Sequence, residues 1–222
     1  KKQFKKYNFD KNHNHIFLDS FISIRLIKRV LLKWIRFVFK VYPISVSKDL
    51  PKIDKVNFYP FISIDWNNSF FGQSLVSNIL YLELFNKAFK SLPKQSLLIY
   101  LYENISWEKA MIFSWNKYKH DQVVAYAHSS IRFWDLRYFH SQSYYFRPNV
   151  KKYTPSLVGV NGILAKRSLL KGGFPRKMII ELEALRYQYL NFIERKVPIE
   201  NCNQKSKNLK ILFIGDYVHS NN

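Results

Sequence analysis

The sequence predicts an α/β protein built on a parallel sheet and preceded by a helical segment. Two observations carry that prediction. From Leu97 onward, short apolar runs alternate with stretches of helical spacing, so each strand feeds a helix and not a tight turn. Strands joined in this way pair in parallel through right-handed crossovers, which gives a Rossmann-like layer. Upstream of Leu97 the apolar residues recur at helical steps instead.

Residues 1–15 are polar and basic and are expected to be a disordered tail. From Ile16 to Val41 the pattern is helical, with Arg25, Lys28, Arg29, Lys33, Arg36 and Lys40 at steps of three and four. They fall within an arc of roughly 140°, opposite Leu31, Trp34, Ile35 and Val38. Pro43 is expected to stop this basic amphipathic helix. Three readings compete for it. It could pack on its own domain with a solvated basic face. It could lie on an anionic membrane through Arg25, Arg29, Lys33, Arg36 and Lys40. It could also touch nucleic acid. Residues 43–72 read as a connector with short extended pieces, since Pro43, Pro51 and Pro60 break helix. Ser74–Lys90 returns to helical spacing, with Leu75, Ile79, Leu82, Phe85 and Phe89 on one side.

The α/β domain is expected over 73–196. Leu97–Glu103 is a strand, and Trp107–Tyr118 a helix with Ser106 as N-cap and Glu108 in the first turn, where the helix dipole favours an acid. Val123–Ala127 is the second strand. Residues 131–155 form a long aromatic and basic loop with room for a short helix. Ser156–Val160 is a strand and Ile163–Leu170 a helix closed by Gly172-Gly173. Met178–Leu182 is a strand and Leu185–Ile193 a helix. Residues 197–208 read as a polar linker. Leu209–Ile214 looks like the first strand of a second α/β domain over 209–222. The chain is therefore read as a piece of a longer, two-domain protein.

The composition is globular: 47% hydrophobic, 23% charged and 18% aromatic, with 6 glycines and 8 prolines in 222 residues. The net charge of +21 points to polyanionic partners, namely nucleic acid, anionic lipid or phosphorylated substrates. A chain so rich in Lys, Asn, Ile, Phe and Tyr also fits the drift of an AT-rich genome. The charge is uneven, since residues 1–60 carry 14 Lys+Arg against 4 Asp+Glu. The lone cysteine, Cys202, rules out an internal disulfide and a cysteine-based zinc site, which fits a reducing cytoplasm. Neither a signal peptide nor an uncharged run of about 20 residues is visible.

Candidate functional residues gather at the carboxyl ends of the strands, the edge where open α/β sheets bind ligands. Glu103 and Asn104 follow the first strand, and His128, Ser129 and Ser130 follow the second. A partly desolvated carboxylate at such a rim suits a general base, and a histidine there can take a hydroxyl proton or donate to a phosphate. Ser129 and Ser130 could donate to a phosphate. The plain alternatives are that Glu103 caps the following helix or pairs with a nearby arginine, and that His128 is a buried structural residue. Ile131–His140 is dense in arginine and aromatic residues. Arg132 and Arg137 have the fork geometry for phosphate or carboxylate, unless an arginine pairs with Asp135 beneath the aromatic rings. Asn161, Glu183 and Arg186 lie near the same edge. There is no P-loop, no Gly-x-Gly-x-x-Gly and no Gly-x-Ser-x-Gly elbow. The absence of Asp-x-Asp counts against a metal-dependent sugar-nucleotide site, and no metal-ligand cluster has suitable spacing.

Several of these segments carry a resemblance. They are Leu92-Pro-Lys-Gln95, Tyr100-Leu-Tyr-Glu-Asn104 with Trp107-Glu108, Ala127-His-Ser129, Ile131-Arg-Phe-Trp-Asp-Leu-Arg-Tyr-Phe139, Val160-Asn-Gly162 and Glu183-Ala-Leu-Arg-Tyr187. Together, Trp66 to Leu190 resembles bacterial surface carbohydrate biosynthesis proteins of O-antigen and capsule clusters, which are similar to GT-B type glycosyltransferases. That likeness implies two Rossmann-like domains across a cleft, with this chain as the N-terminal, acceptor-side half. It also implies a nucleotide-sugar donor held mostly by a further C-terminal domain, and a glycan or lipid-linked saccharide as acceptor. Ile105-Ser106 departs from the Gln-Pro that the resemblance leads one to expect. No catalytic residue is carried over from the family, so Glu103 and His128 rest on their position alone. The expected function is sugar transfer in the cytoplasm, at or near the inner membrane. The alternatives are a non-catalytic scaffold of polysaccharide assembly and, less favoured, a nucleic-acid-binding protein.

Overall fold

A computed structural model describes residues 14–41, 52–53, 56–131, 135–184 and 188–189. By packing, the chain divides into units at Leu185/Arg186, and the elements below belong to the first. Apart from residues 188–189, the helix expected at 185–193 lies outside the described residues, as do the linker at 197–208, the strand at Leu209–Ile214, Arg132 and Arg186.

The helical segment comes first. The expected continuous helix from Ile16 is instead a 3-10 turn, Leu18–Phe21, followed by α1, Ile24–Val41. The short pieces β1, Lys52–Ile53, and β2, Val56–Asn57, pair antiparallel. The connector reading fails beyond them, because Tyr59–Phe70 forms a helix, α2. Pro60 sits in its first turn, where a missing N–H costs nothing and the fixed φ suits a helix. Pro60 starts a helix here instead of breaking one. Next comes α3, Gln73–Ser91.

α1 packs on α3 through Leu26 and Val30 against Leu84. Trp34 Nε1 donates to the Phe71 carbonyl at 3.2 Å, and Phe37 stacks on Phe70. Glu83 of α3 is only 4% exposed and accepts from Arg29 at 3.2 Å and from Lys33. Burial pushes its carboxyl up, but Lys33 and Arg29 outweigh that and hold it below the ordinary carboxylate value. The sign follows: this contribution to stability is present above the ordinary carboxylate range and is lost as pH falls through it. Both cations are about half exposed, so Glu83→Gln is expected to cost about 1–2 kcal/mol, less than a fully buried pair. Urea unfolding at neutral pH checks this.

The sheet follows. It comprises β3 (Leu97–Leu101), β4 (Gln122–Ala127), β5 (Leu157–Val160) and β6 (Ile179–Glu181). All neighbours are parallel and the order is β3-β4-β5-β6. The crossovers are α4 (Ser106–Lys117), the 131–155 segment, which includes α5 (Gln142–Phe146), and α6 (Ile163–Lys171). The α/β prediction holds. In detail, β3 ends at Leu101 and leaves Glu103 beyond the strand, and the N-cap of α4 is Ile105, with Ser106 already helical. The end of α6 is a Schellman motif. Gly173, at φ 85°, donates to Leu170 and Phe174 donates to Leu169, both at 3.0 Å.

One face of the sheet carries Tyr100, Val123, Ala125, Ala127, Val158, Val160 and Ile179. They bury against Phe89, Ile112, Trp115 and Leu169. His120 ties this layer to α3: its Nδ1 accepts from Gln95 N–H at 3.0 Å, and Nε2–H donates to the Phe89 carbonyl at 3.1 Å. On the other face Leu97, Ile99 and Leu101 of edge strand β3 are exposed, whereas Val124 and Tyr126 are buried.

Candidate functional site

The rim of β3 and β4 is set by register. Leu101 is paired with Tyr126, so Glu103 and His128, each two residues further on, leave adjacent strands at equivalent positions. The ladder runs one residue past β3, since Tyr102 N–H donates to the Tyr126 carbonyl at 2.8 Å. Both Glu103 and His128 are half-buried, while Ser129 and Ser130 are exposed. At the next exit, Asn161 Nδ2 reaches the His128 carbonyl at 3.4 Å, which draws the ends of β4 and β5 together. Beyond β6, the Glu183 side is exposed and its carbonyl accepts from Tyr126 Oη at 3.1 Å.

The turn after β3 is built by Glu108, which sequence reasoning read only as a dipole-favoured acid. It is 1% exposed. Its Oε1 accepts from Glu103 N–H and its Oε2 from Asn104 N–H, each at 2.9 Å. Glu108, the third helical residue, reaches back past the N-cap, Ile105, to the amides of the turn; Ile105 has no capping side chain, so the sequence carries no capping-box spacing that signals this role. Held in this way, Asn104 adopts φ 55°. Burial pushes the Glu108 carboxyl up to about 7, against the opposing pull of those amides.

Asn104 in turn fastens the 135–140 segment over the rim. Its Nδ2 donates to the Arg137 carbonyl and to His140 Nε2, the latter at 3.1 Å. Tyr138 Oη donates to the Tyr102 carbonyl at 2.9 Å. Burial, and then the Lys109 charge, holds His140 below the ordinary histidine value. The Asp135 carboxylate accepts from Arg137 Nε at 2.7 Å and Nη2 at 2.6 Å. That pairing favours the charged guanidinium, with a smaller contribution from Glu103. The structure thus links Glu103, Asn104, Asp135 and Arg137 around the exit of β3, and His128 and Asn161 at the neighbouring exits of β4 and β5.

One cavity adjoins this rim and another lies at the opposite edge of the sheet. One, of about 10 Å³, lies beneath the turn among Tyr102, Asn104, Glu108, His140 and Tyr144, with room for about one water. The other is a groove of about 810 Å³ at the amino ends of β5 and β6, lined by residues that include Tyr145, Phe146, Lys151, Lys152, Ser156 and Lys177. Among the described strands the order never reverses, so no switch-point crevice singles out the ligand edge. Among the described residues, no three His, Cys, Asp or Glu side chains converge as metal ligands.

The fold and rim define a parallel α/β domain preceded by helices. No protein-family model, curated protein or solved structure matches this chain.

Proposed function

We propose that this chain is the acceptor-side domain of a glycosyltransferase that acts on a surface-polysaccharide precursor. The observation that carries the reading is the equivalent register of Glu103 and His128 on adjacent parallel strands. Neighbouring strands lie about 4.8 Å apart, so one small group can meet both side chains. In this reading Glu103 or His128 takes the proton of an acceptor hydroxyl as its oxygen attacks the donor's anomeric carbon. The bond from that carbon to the nucleotide phosphate breaks, and the leaving phosphate departs with the electron pair. Arg137 spends Nε and Nη2 on Asp135, so Nη1 is the edge that meets a phosphate. The acceptor is a glycan or a lipid-linked saccharide. The donor is a nucleotide sugar, held chiefly by protein outside this chain. Sugar transfer by Glu103 and His128 variants of the intact polypeptide tests the reading, and unaltered transfer in both would exclude it.

A second reading is favoured by the basic groove. Three lysines and two aromatic rings line about 810 Å³ on the opposite edge of the sheet, within the size range of ligand sites. That arrangement suits a non-catalytic module that holds an anionic glycan. It requires glycan binding that survives loss of Glu103 and His128 and weakens on replacing Lys151 and Lys177.

A further inference from the structure

We propose that the solvent-facing side of α1 lies in the surface of an anionic lipid bilayer while the helix stays docked on α3. Around an α-helix, successive residues turn by about 100°. Leu26, Phe37, Val30, Val41 and Trp34 fall within an arc of about 80°. This is the side that meets α3 and the end of α2, with Leu26, Val30 and Val41 buried.

A second apolar stripe has no cover among the described residues. Ile27, Leu31, Ile24, Ile35, Phe39 and Leu32 occupy the next arc of about 140°. All six are exposed, Ile24 at 76%, Leu32 at 55% and Phe39 at 77%. Apolar side chains grouped along a whole helix are not ordinary surface scatter. Arg25 and Arg36 border the stripe, Arg29, Lys40 and Lys33 continue from them round to the docked side, and Lys28 lies within the stripe.

The cations decide the occupant. Arg29 and Lys33 are engaged by Glu83. Arg25, Lys28, Arg36 and Lys40 form no ion pair with another described residue. A second copy of this chain would bring the same basic border against itself, because a two-fold interface is self-complementary. Nucleic acid would leave the apolar stripe in water. An anionic bilayer satisfies both features, taking the apolar side chains below the headgroups and the cations at their level. Among the described residues no helix is long and apolar enough to cross a membrane, so α1 lies along the surface. This inference stands apart from sugar transfer, because none of these residues belongs to the rim.

Flotation of the intact polypeptide with vesicles tests it. Partition onto phosphatidylcholine mixed with phosphatidylglycerol is expected to exceed that onto phosphatidylcholine alone by about tenfold or more, and to fall with added salt. L32S/F39S is expected to lower partition onto the mixed vesicles by about tenfold without changing Tm, since both side chains are exposed. R36Q/K40Q is expected to remove most of the preference for anionic lipid. Equal partition onto both compositions, or full binding by L32S/F39S, would overturn the proposal. So would sedimentation of a dimer that L32S/F39S converts to monomer.

Discussion

Replacing Glu103 with Gln, or His128 with Gln, is expected to slow sugar transfer in the intact polypeptide by about 10²–10⁴-fold. That range is what a positioned acid or base contributes. The loss should appear in kcat with little change in KM for the donor, because the proton moves only as the acceptor oxygen attacks. Groups that serve one proton transfer are not additive, so the double variant should fall only slightly below the poorer single one. Gln is the informative replacement, since it keeps the size of either side chain and removes its ability to accept a proton. Full activity in both single variants removes the pair from the chemistry. Multiplicative losses would assign them to separate steps.

The largest expected effect on stability belongs to Glu108. Its two oxygens hold the Glu103 and Asn104 amides at 2.9 Å in a setting that is 1% exposed. Glu108→Ala leaves both donors without a carboxylate and is expected to cost about 2–4 kcal/mol in equilibrium unfolding. The pH dependence has a definite sign. Burial raises the folded carboxyl from its ordinary value of 4.5 to about 7. Its contribution is complete below the unfolded value. It falls as pH rises toward and through about 7, where the unfolded chain releases the proton first, and it levels off above that. The shift corresponds to about 3 kcal/mol lost across that window. Glu108→Gln should flatten this decline. Glu83 acts with the opposite sign and at lower pH, so the two are separable in one pH series of urea melts. A stability profile of Glu108→Gln that runs parallel to the wild type would show that Glu108 does not titrate there.

How much of this could be read from the sequence depends on how local each feature is. The alternation from Leu97 onward was legible because the apolar period changes from strand to helix within a few residues, and each described strand of the sheet was placed to within a residue or two. The largest difference is two residues at the end of β3, where Tyr102 keeps one ladder bond while Glu103 leaves the sheet. The basic stripe of α1 was equally legible. Which apolar residues dock was not, since that depends on Glu83 and Leu84, some fifty residues away on α3. The second helix was missed because Pro60 signals either a break or a start, and only the following helical turns decide. The long segment after β4 was unreadable for the same reason of range. Its course is fixed by Asn104 on Arg137 and His140, and by Tyr138 on Tyr102. At the rim, the composition of the strand ends was visible, but their alignment was not. That alignment follows from the β3–β4 register, which no local pattern encodes.

The proposed transfer chemistry depends on Glu103 and His128 leaving adjacent strands side by side. The most direct measurement is an E103C/H128C pair in a chain whose native Cys202 is replaced by Ser. Strand neighbours about 4.8 Å apart fall within the span that a disulfide bridges. Mild oxidation of the folded protein should therefore close an intramolecular bond, detected as a shift on a non-reducing gel that dithiothreitol reverses. If both thiols remain free under oxidation in the folded state, the two positions do not share one mouth, and the proposed transfer chemistry goes with it.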